Sequence, residues 1–465
     1  MKRLFLLLCV SVATFLGSAA EPRPAAASDA FPFPIHETVL DNGFTVLAVP
    51  YDSPGTVAFL TLVRTGSRDE VEEGYSGFAH FFEHMMFRGT DKYSETQYNA
   101  VLKRMGVDSN ADTSDDRTRY YLIGPSAELE TMMDIEADRF QNLKYTQDDF
   151  KREALAVLGE YNKNISNPFL PLWERMRDLA FDRHTYEHTT MGFLEDIKAM
   201  PTYHDYSLGF FDRFYRPENC LLIVVGDIDP RETAALAGKY WGSWEPGYQE
   251  PDIDREGEQD GARGDDLDWP SEIRPHFMTG YRAPAFDDHT VDTAALDIIG
   301  QLLFSESAPL YQKLVVDEQW VDFIDGGYSD HRDPFLFVIY ARAKSDEDMA
   351  KVDAAISEAI RELQTTPIPA ERLSRIQSHL RYSFAAQLDT PAAIAFTLAN
   401  YVTITGDSGT PNRIQSQYSN VTPEDIQRLA REVFKPTNRT HITLSHKPAD
   451  QAAAGSEADN LEEAR

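Results

Sequence analysis

Hydrophobic and polar positions along this chain fall into a pattern that occurs twice. "GVDSNADTSDDRTRYYLIG", residues 106–124, reads as two strands around an Asp-rich turn. "SAELETMMDIEADRFQNL", residues 126–143, follows with apolar positions near helical spacing. The same order returns in "WVDFIDGGYSDHRDPFLFVIY", residues 320–340, and "DEDMAKVDAAISEAIREL", residues 346–363. Each half also closes alike, with a helix running into an aromatic-basic-Pro-x-Asn turn and then a strand: "FDRFYRPENCLLIVV" (211–225) and "AREVFKPTNRTHITL" (430–444). Strand runs such as "TVAFLTLVRTG" complete the unit. The pattern predicts a duplicated α+β domain, with blocks at about 35–245 and 272–447.

The flanks read differently. Residues 246–271 are rich in Pro, Gly and acid and are expected to be an acidic linker. Residues 21–34 are expected to be a flexible lead-in, and 448–465 a disordered tail without apolar anchors. Residues 1–20, "MKRLFLLLCVSVATFLGSAA", have a basic start, an apolar run and a small-residue end, as in a secretory signal peptide. The run is short for a membrane span and no other long apolar stretch follows, so no stable span is expected after cleavage. The expected location is periplasmic or secreted. One cysteine, Cys220, would remain after cleavage, so no intramolecular disulfide is available.

Composition narrows the partners. The chain has 465 residues, 42% apolar and 26% charged, as in soluble globular proteins. Its formal charge of −32 argues against nucleic acid, whose phosphates need Lys and Arg.

The chemistry lies in "GFAHFFEHMMFRGT", residues 77–90, which holds His80, Glu83 and His84 as H-x-x-E-H. On a helix, residues three and four apart share a face. Two neutral imidazoles one turn apart can grip one Zn²⁺ at about 2.0–2.1 Å, leaving the adjacent Glu83 as the base that takes a proton from water. This order of residues is the inverzincin signature. A third ligand is expected from another helix. "TQDDFKREALAVLGEYNKN", residues 146–164, offers Glu153 and Glu160, seven apart and on one face. Gly159 beside them is either a device for close approach or a surface defect.

On these residues the sequence resembles the pitrilysin/insulinase family of inverted zinc peptidases, in particular its processing-peptidase branch. In that family a ligand Glu follows the second His by 76 residues, which here is Glu160, and a supporting carboxylate lies seven residues earlier, here Glu153. "NADTS" (110–114), "GFLEDIKAM" (192–200) and "FYRPENCLLIVVGDIDP" (214–230) extend the resemblance over nearly the whole chain after residue 20. It implies one Zn²⁺ per chain on His80, His84 and Glu160, with Glu83 as general base. It implies two α/β-roll domains forming one half of a clamshell, with the metal in the first domain and none in the second. It also implies an edge strand at Asn110 and Ala111 that holds extended peptide substrate by main-chain hydrogen bonds.

One part of the pattern is broken. Family enzymes carry an Arg and a Tyr seven residues apart in a second half, where they contact substrate and stabilise the oxyanion. In "LYQKLVVDEQWVDF", residues 310–323, those positions hold Val315 and Asp322, which cannot do so. The resemblance therefore implies a zinc endopeptidase that needs a related partner subunit carrying the Arg/Tyr pair, a heterodimer. The alternative is a non-catalytic structural subunit, which some family members have become.

Overall fold

A computed structural model describes residues 29–447. The apolar runs assemble into two sheets of one plan. The first contains β1 (His36–Val39), β2 (Thr45–Pro50), β3 (Thr56–Val63), β4 (Asp108–Thr113), β5 (Thr118–Pro125) and β6 (Cys220–Gly226), in the order β1-β2-β6-β3-β5-β4. The second contains β7 (Arg263–Asp268), β8 (His276–Ala283), β9 (Val321–Tyr328), β10 (Phe335–Ala343) and β11 (Arg439–Ser445), in the order β7-β11-β8-β10-β9. Each sheet has a single parallel pair, β2 with β6 and β7 with β11, and is otherwise antiparallel. Leaving out β1, the two orders superimpose strand for strand, which is the duplicated α+β plan expected from the sequence.

Both sheets are covered on two faces, and the outer cover of each comes from the other half of the chain. In β3, Val57, Phe59 and Val63 face the helices of their own block, whereas Ala58, Leu60 and Leu62 face Ile394, Leu398 and Val402 of the helix Pro391–Thr405. In the second sheet, Met278, Leu336 and Ile442 pack on Leu172, Met176 and Ala180 of the helix Phe169–Ala180. Burial on two faces is why "TVAFLTLV" is apolar at nearly every position instead of every second one.

This exchange is sealed by a buried polar tie between the two Asp-rich turns. Asp115 accepts from Ser67 Oγ at 2.8 Å and from an Arg177 guanidinium nitrogen at 2.8 Å, and His331 Nε2 stands 3.0 Å from its other oxygen. Arg177 and His331 hold the Asp115 carboxyl far below the usual range against the opposing effect of burial.

Two expectations need correction. Residues 263–268, read as linker, form β7, an edge strand paired in parallel with β11. Charged residues are tolerated on such an edge because pairing uses the main chain, so the acidic composition concealed it. The preceding stretch is also pinned: Glu256 Oε2 accepts the main-chain N–H groups of Asp182 (2.9 Å), Arg183 (2.9 Å) and His184 (3.2 Å). The end of the supposed flexible lead-in is anchored as well, with Phe31 1% exposed and its N–H donated to Asn412 Oδ1 at 2.8 Å. The expected signal peptide (1–20) and the expected disordered tail (448–465) lie outside the described residues.

Candidate metal centre

The helix Phe78–Met85 has only eight residues, and packing holds it. Phe78, Phe81, Phe82 and Met85 are fully buried, and Phe82 stacks on Phe210 with ring centroids 5.2 Å apart. Amides at a helix start lack internal partners. Here the buried Glu70 carboxylate accepts from Gly77 N at 2.7 Å and Ala79 N at 2.6 Å. Gly77 enters the helix at φ +91°, and a Cβ there would stand 2.5 Å from the Met191 carbonyl oxygen. Glycine is what lets that loop cross the helix start.

On this frame His80 and His84 turn toward the helix Gln147–Asn164. Their Nε2 atoms lie 3.7 and 3.5 Å from one oxygen, Glu160 Oε2. One donor atom from each of the three residues falls within 4.8 Å of the others. These gaps are too long for hydrogen bonds. They match three ligands of a single small ion, because donors about 2.0–2.1 Å from a tetrahedral centre stand roughly 3.4 Å apart. Two imidazoles and a carboxylate are also the donor chemistry that zinc accepts.

The surroundings prepare the two histidines differently. Burial, and then the proximity of His84, push His80 down to about 4, leaving a neutral ring with a lone pair to give. Its Nδ1 is buried without a hydrogen-bond partner among the described residues. His84 moves upward, because Glu153 Oε1 stands 2.9 Å from its Nδ1. That contact places the proton on Nδ1 and aims the Nε2 lone pair at the site.

The two glutamates that share a helix face thus have different surroundings. Glu160 faces both Nε2 atoms. Glu153, 5% exposed, is engaged by His84 and by Arg88, whose Nε donates to Glu153 Oε2 at 2.8 Å and whose second guanidinium nitrogen donates alongside. Arg88 also reaches Glu95 Oε2 at 3.0 Å, tying the pair to the next helix, Glu95–Met105. Gly159 makes no close approach, since a Cβ there would meet nothing within 4 Å.

Glu83 lies beside the trio. Burial raises its carboxyl above the ordinary range, and the Thr113 hydroxyl, donating to Oε2 at 2.7 Å, opposes that rise. Thr113 ends β4, the edge strand that holds Asn110 and Ala111. Ala111 is buried toward the motif helix, and Asn110 is exposed on the other face. Val315 sits in a wide helical turn, Gln312–Asp317, and Asp322 in β9 is paired to Arg274 and Arg342.

Arg88, Thr113 and Glu70 are absent from the sequence reading. Arg88 follows His84 by four residues, so helical spacing could have pointed to it. No local signal points to the other two.

The first block matches the family model "Insulinase (Peptidase family M16)" over residues 46–193, and "Peptidase M16 inactive domain" matches residues 205–380. The chain belongs to peptidase family M16. Within that family it is similar to zinc protease PqqE of Helicobacter pylori, 28% identical over 428 residues, covering 88% of this chain and 93% of that protein. The crystal structure of a protease from Helicobacter pylori is 27% identical with a TM-score of 0.82, covering 89% of this chain and 99% of that one. The periplasmic protease PqqL of Escherichia coli shares the fold at 18% identity and a TM-score of 0.74, with 94% of this chain matching 49% of the longer protein. Among the described residues no helix is long and apolar enough to cross a membrane.

Proposed function

We propose that this M16 chain is the zinc-bearing half of a two-part metalloendopeptidase that hydrolyses bonds in extended peptides. The observation that carries the reading is the convergence of His80, His84 and Glu160 donor atoms beside a buried carboxylate, Glu83. When bound, zinc supplies Lewis acidity toward water and toward the peptide carbonyl. Glu83, gripped on one oxygen by Thr113, receives the proton of the attacking water and passes it to the leaving amine. Glu153 and Arg88 keep His84 in the tautomer and orientation that ligation needs. An extended peptide adds to the free edge of β4 at Asn110 and Ala111, so that the strand presenting substrate also holds the base.

In this reading block 35–245 carries the chemistry, and block 272–447, extended by β7, forms a wall without a metal. The Arg/Tyr pair comes from a partner subunit, because Val315 offers no donor and Asp322 is already engaged. Support for a partner subunit comes from a relative named as one subunit of an enzyme, the probable mitochondrial-processing peptidase subunit beta of Schizosaccharomyces pombe, 24% identical over 422 residues. The leader-like residues 1–20 support export.

The test combines the zinc-loaded chain with the related Arg/Tyr-bearing chain and follows cleavage of a flexible fluorogenic peptide. Glu83→Gln should keep stoichiometric zinc while hydrolysis falls at least about 10²-fold. Undiminished turnover in that variant would remove Glu83 from the mechanism. The chain alone should bind zinc and cleave about 10²–10³-fold more slowly than the pair.

A further inference from the structure

Beyond the metal, the fold leads a bound peptide toward a second polar feature. Asn164 Nδ2 is 3.5 Å from Glu160 Oε1 and 3.6 Å from Met191 Sδ. Met191 lines a groove of about 640 Å³ between the Asp-rich turn after β4 and the β9 strand, with Phe169, Trp173 and Leu336 among its apolar lining. Tyr340 lines this groove and also the adjoining pocket of about 400 Å³, where it meets Arg274, Arg342, His276, Phe323 and Asn167. Side-chain contacts thus link the metal trio to the groove, and Tyr340 is common to the groove and to the pocket that holds the two arginines.

The charges there do not cancel. Asp322 Oδ2 accepts from an Arg274 guanidinium nitrogen at 2.6 Å and from Arg342 Nε at 2.9 Å, so two guanidiniums share one carboxylate. The Asp322 side chain is 16% exposed, beneath Arg274 at 57% and Arg342 at 41%. Each guanidinium has five N–H donors, so donors remain for a second acceptor on the accessible side. His276, pushed down to about 4 by burial and then by Arg342, adds no charge, and its Nδ1 is 2.8 Å from the Tyr340 hydroxyl. A local excess of positive charge inside a groove stands out on a chain of net −32.

We infer that the Arg274–Arg342 pocket is a carboxylate subsite, which takes the free C-terminus or an acidic side chain of a peptide lying along the groove. That the ligand is a peptide rests on the peptidase reading above. Asn167, at the pocket's rim, lies three residues beyond the end of the metal-site helix at Asn164. The subsite would select charge without touching the reacting atoms.

Binding without turnover tests this separately from catalysis. The zinc-loaded full chain carrying Glu83→Gln is titrated against a fluorescent neutral decapeptide at low ionic strength, read by anisotropy. Three forms are compared: C-terminal acid, C-terminal amide, and amide with one internal Glu. At least one carboxylate form should bind about 5–10-fold tighter than the plain amide, an advantage that salt reduces; which form gains identifies the source of the carboxylate. Arg274→Gln with Arg342→Gln should erase the advantage and leave amide binding unchanged. Asp322→Asn should enlarge it, because the competing carboxylate is gone while both guanidiniums stay, and a misfolded protein cannot produce that gain. Equal binding of all three forms, an advantage that survives the double substitution, or an advantage reduced by Asp322→Asn would each overturn the inference.

Discussion

Replacing Glu153 by Gln tests how the fold prepares His84. The substitution keeps volume and one acceptor oxygen, so the His84 Nδ1–H can still donate across the 2.9 Å contact. It removes the charge that makes this bond, and those from Arg88, charge-assisted, which roughly halves their strength. It also turns an NH₂ group toward the guanidinium or the imidazole. Partners in this outer position typically govern metal affinity by 10–100-fold, or ~1.4–2.7 kcal/mol. Arg88→Gln leaves the Glu153 carboxylate on His84 and should cost less, about 3–10-fold. Because Arg88 reaches His84 only by way of Glu153, the double variant should match Glu153→Gln alone instead of adding to it. Competition for zinc with a chromophoric chelator measures all four proteins at one pH, with circular dichroism as the check on folding. Zinc affinity in Glu153→Gln within twofold of wild type would refute the argument, as would additive losses in the pair. A loss far beyond 10³-fold would instead make Glu153 a direct ligand.

Other outcomes follow from the same structure. Glu160→Gln should lower bound zinc to below about a tenth of stoichiometric by metal analysis; full zinc would exclude Glu160 as third ligand. Asp115→Asn leaves Arg177, 2% exposed, without its counter-charge and should cost about 3 kcal/mol, seen as a lower thermal midpoint. His331, buried, is raised above its ordinary value by Asp115, so its contribution is complete below the unfolded pKa of about 6.5 and fades as pH rises through the folded value. The wild-type midpoint should therefore fall more steeply as pH rises above about 6.5 than that of His331→Gln, and parallel slopes would dismiss the tie as a source of pH dependence.

The reciprocal exchange of cover helices bears on how the chain presents its candidate site. The helix Phe169–Ala180 follows the metal-site helix in the chain yet packs on the second sheet, and Pro391–Thr405 returns to the first. The two blocks cannot separate without exposing the outer faces of both sheets. The groove between the Asp-rich turn after β4 and β9 is thus lined by parts held together by this exchange, a suitable support for the two-part site proposed above.

Much of this was legible in the sequence for a physical reason. Helix and strand periods fix which residues share a face, so His80, Glu83 and His84 could be grouped from spacing alone, and the two repeated patterns could be matched element by element. Spacing could not divide the roles of Glu153 and Glu160, because seven residues return to the same face. Only the approach of the motif helix set one against both Nε2 atoms and the other against Nδ1 and Arg88. Composition hid β7, whose pairing uses main-chain groups that every residue has. The apolar run 391–405 announces burial but not what buries it. The hydrophobic effect has no direction, and the choice of the opposite sheet was made by topology.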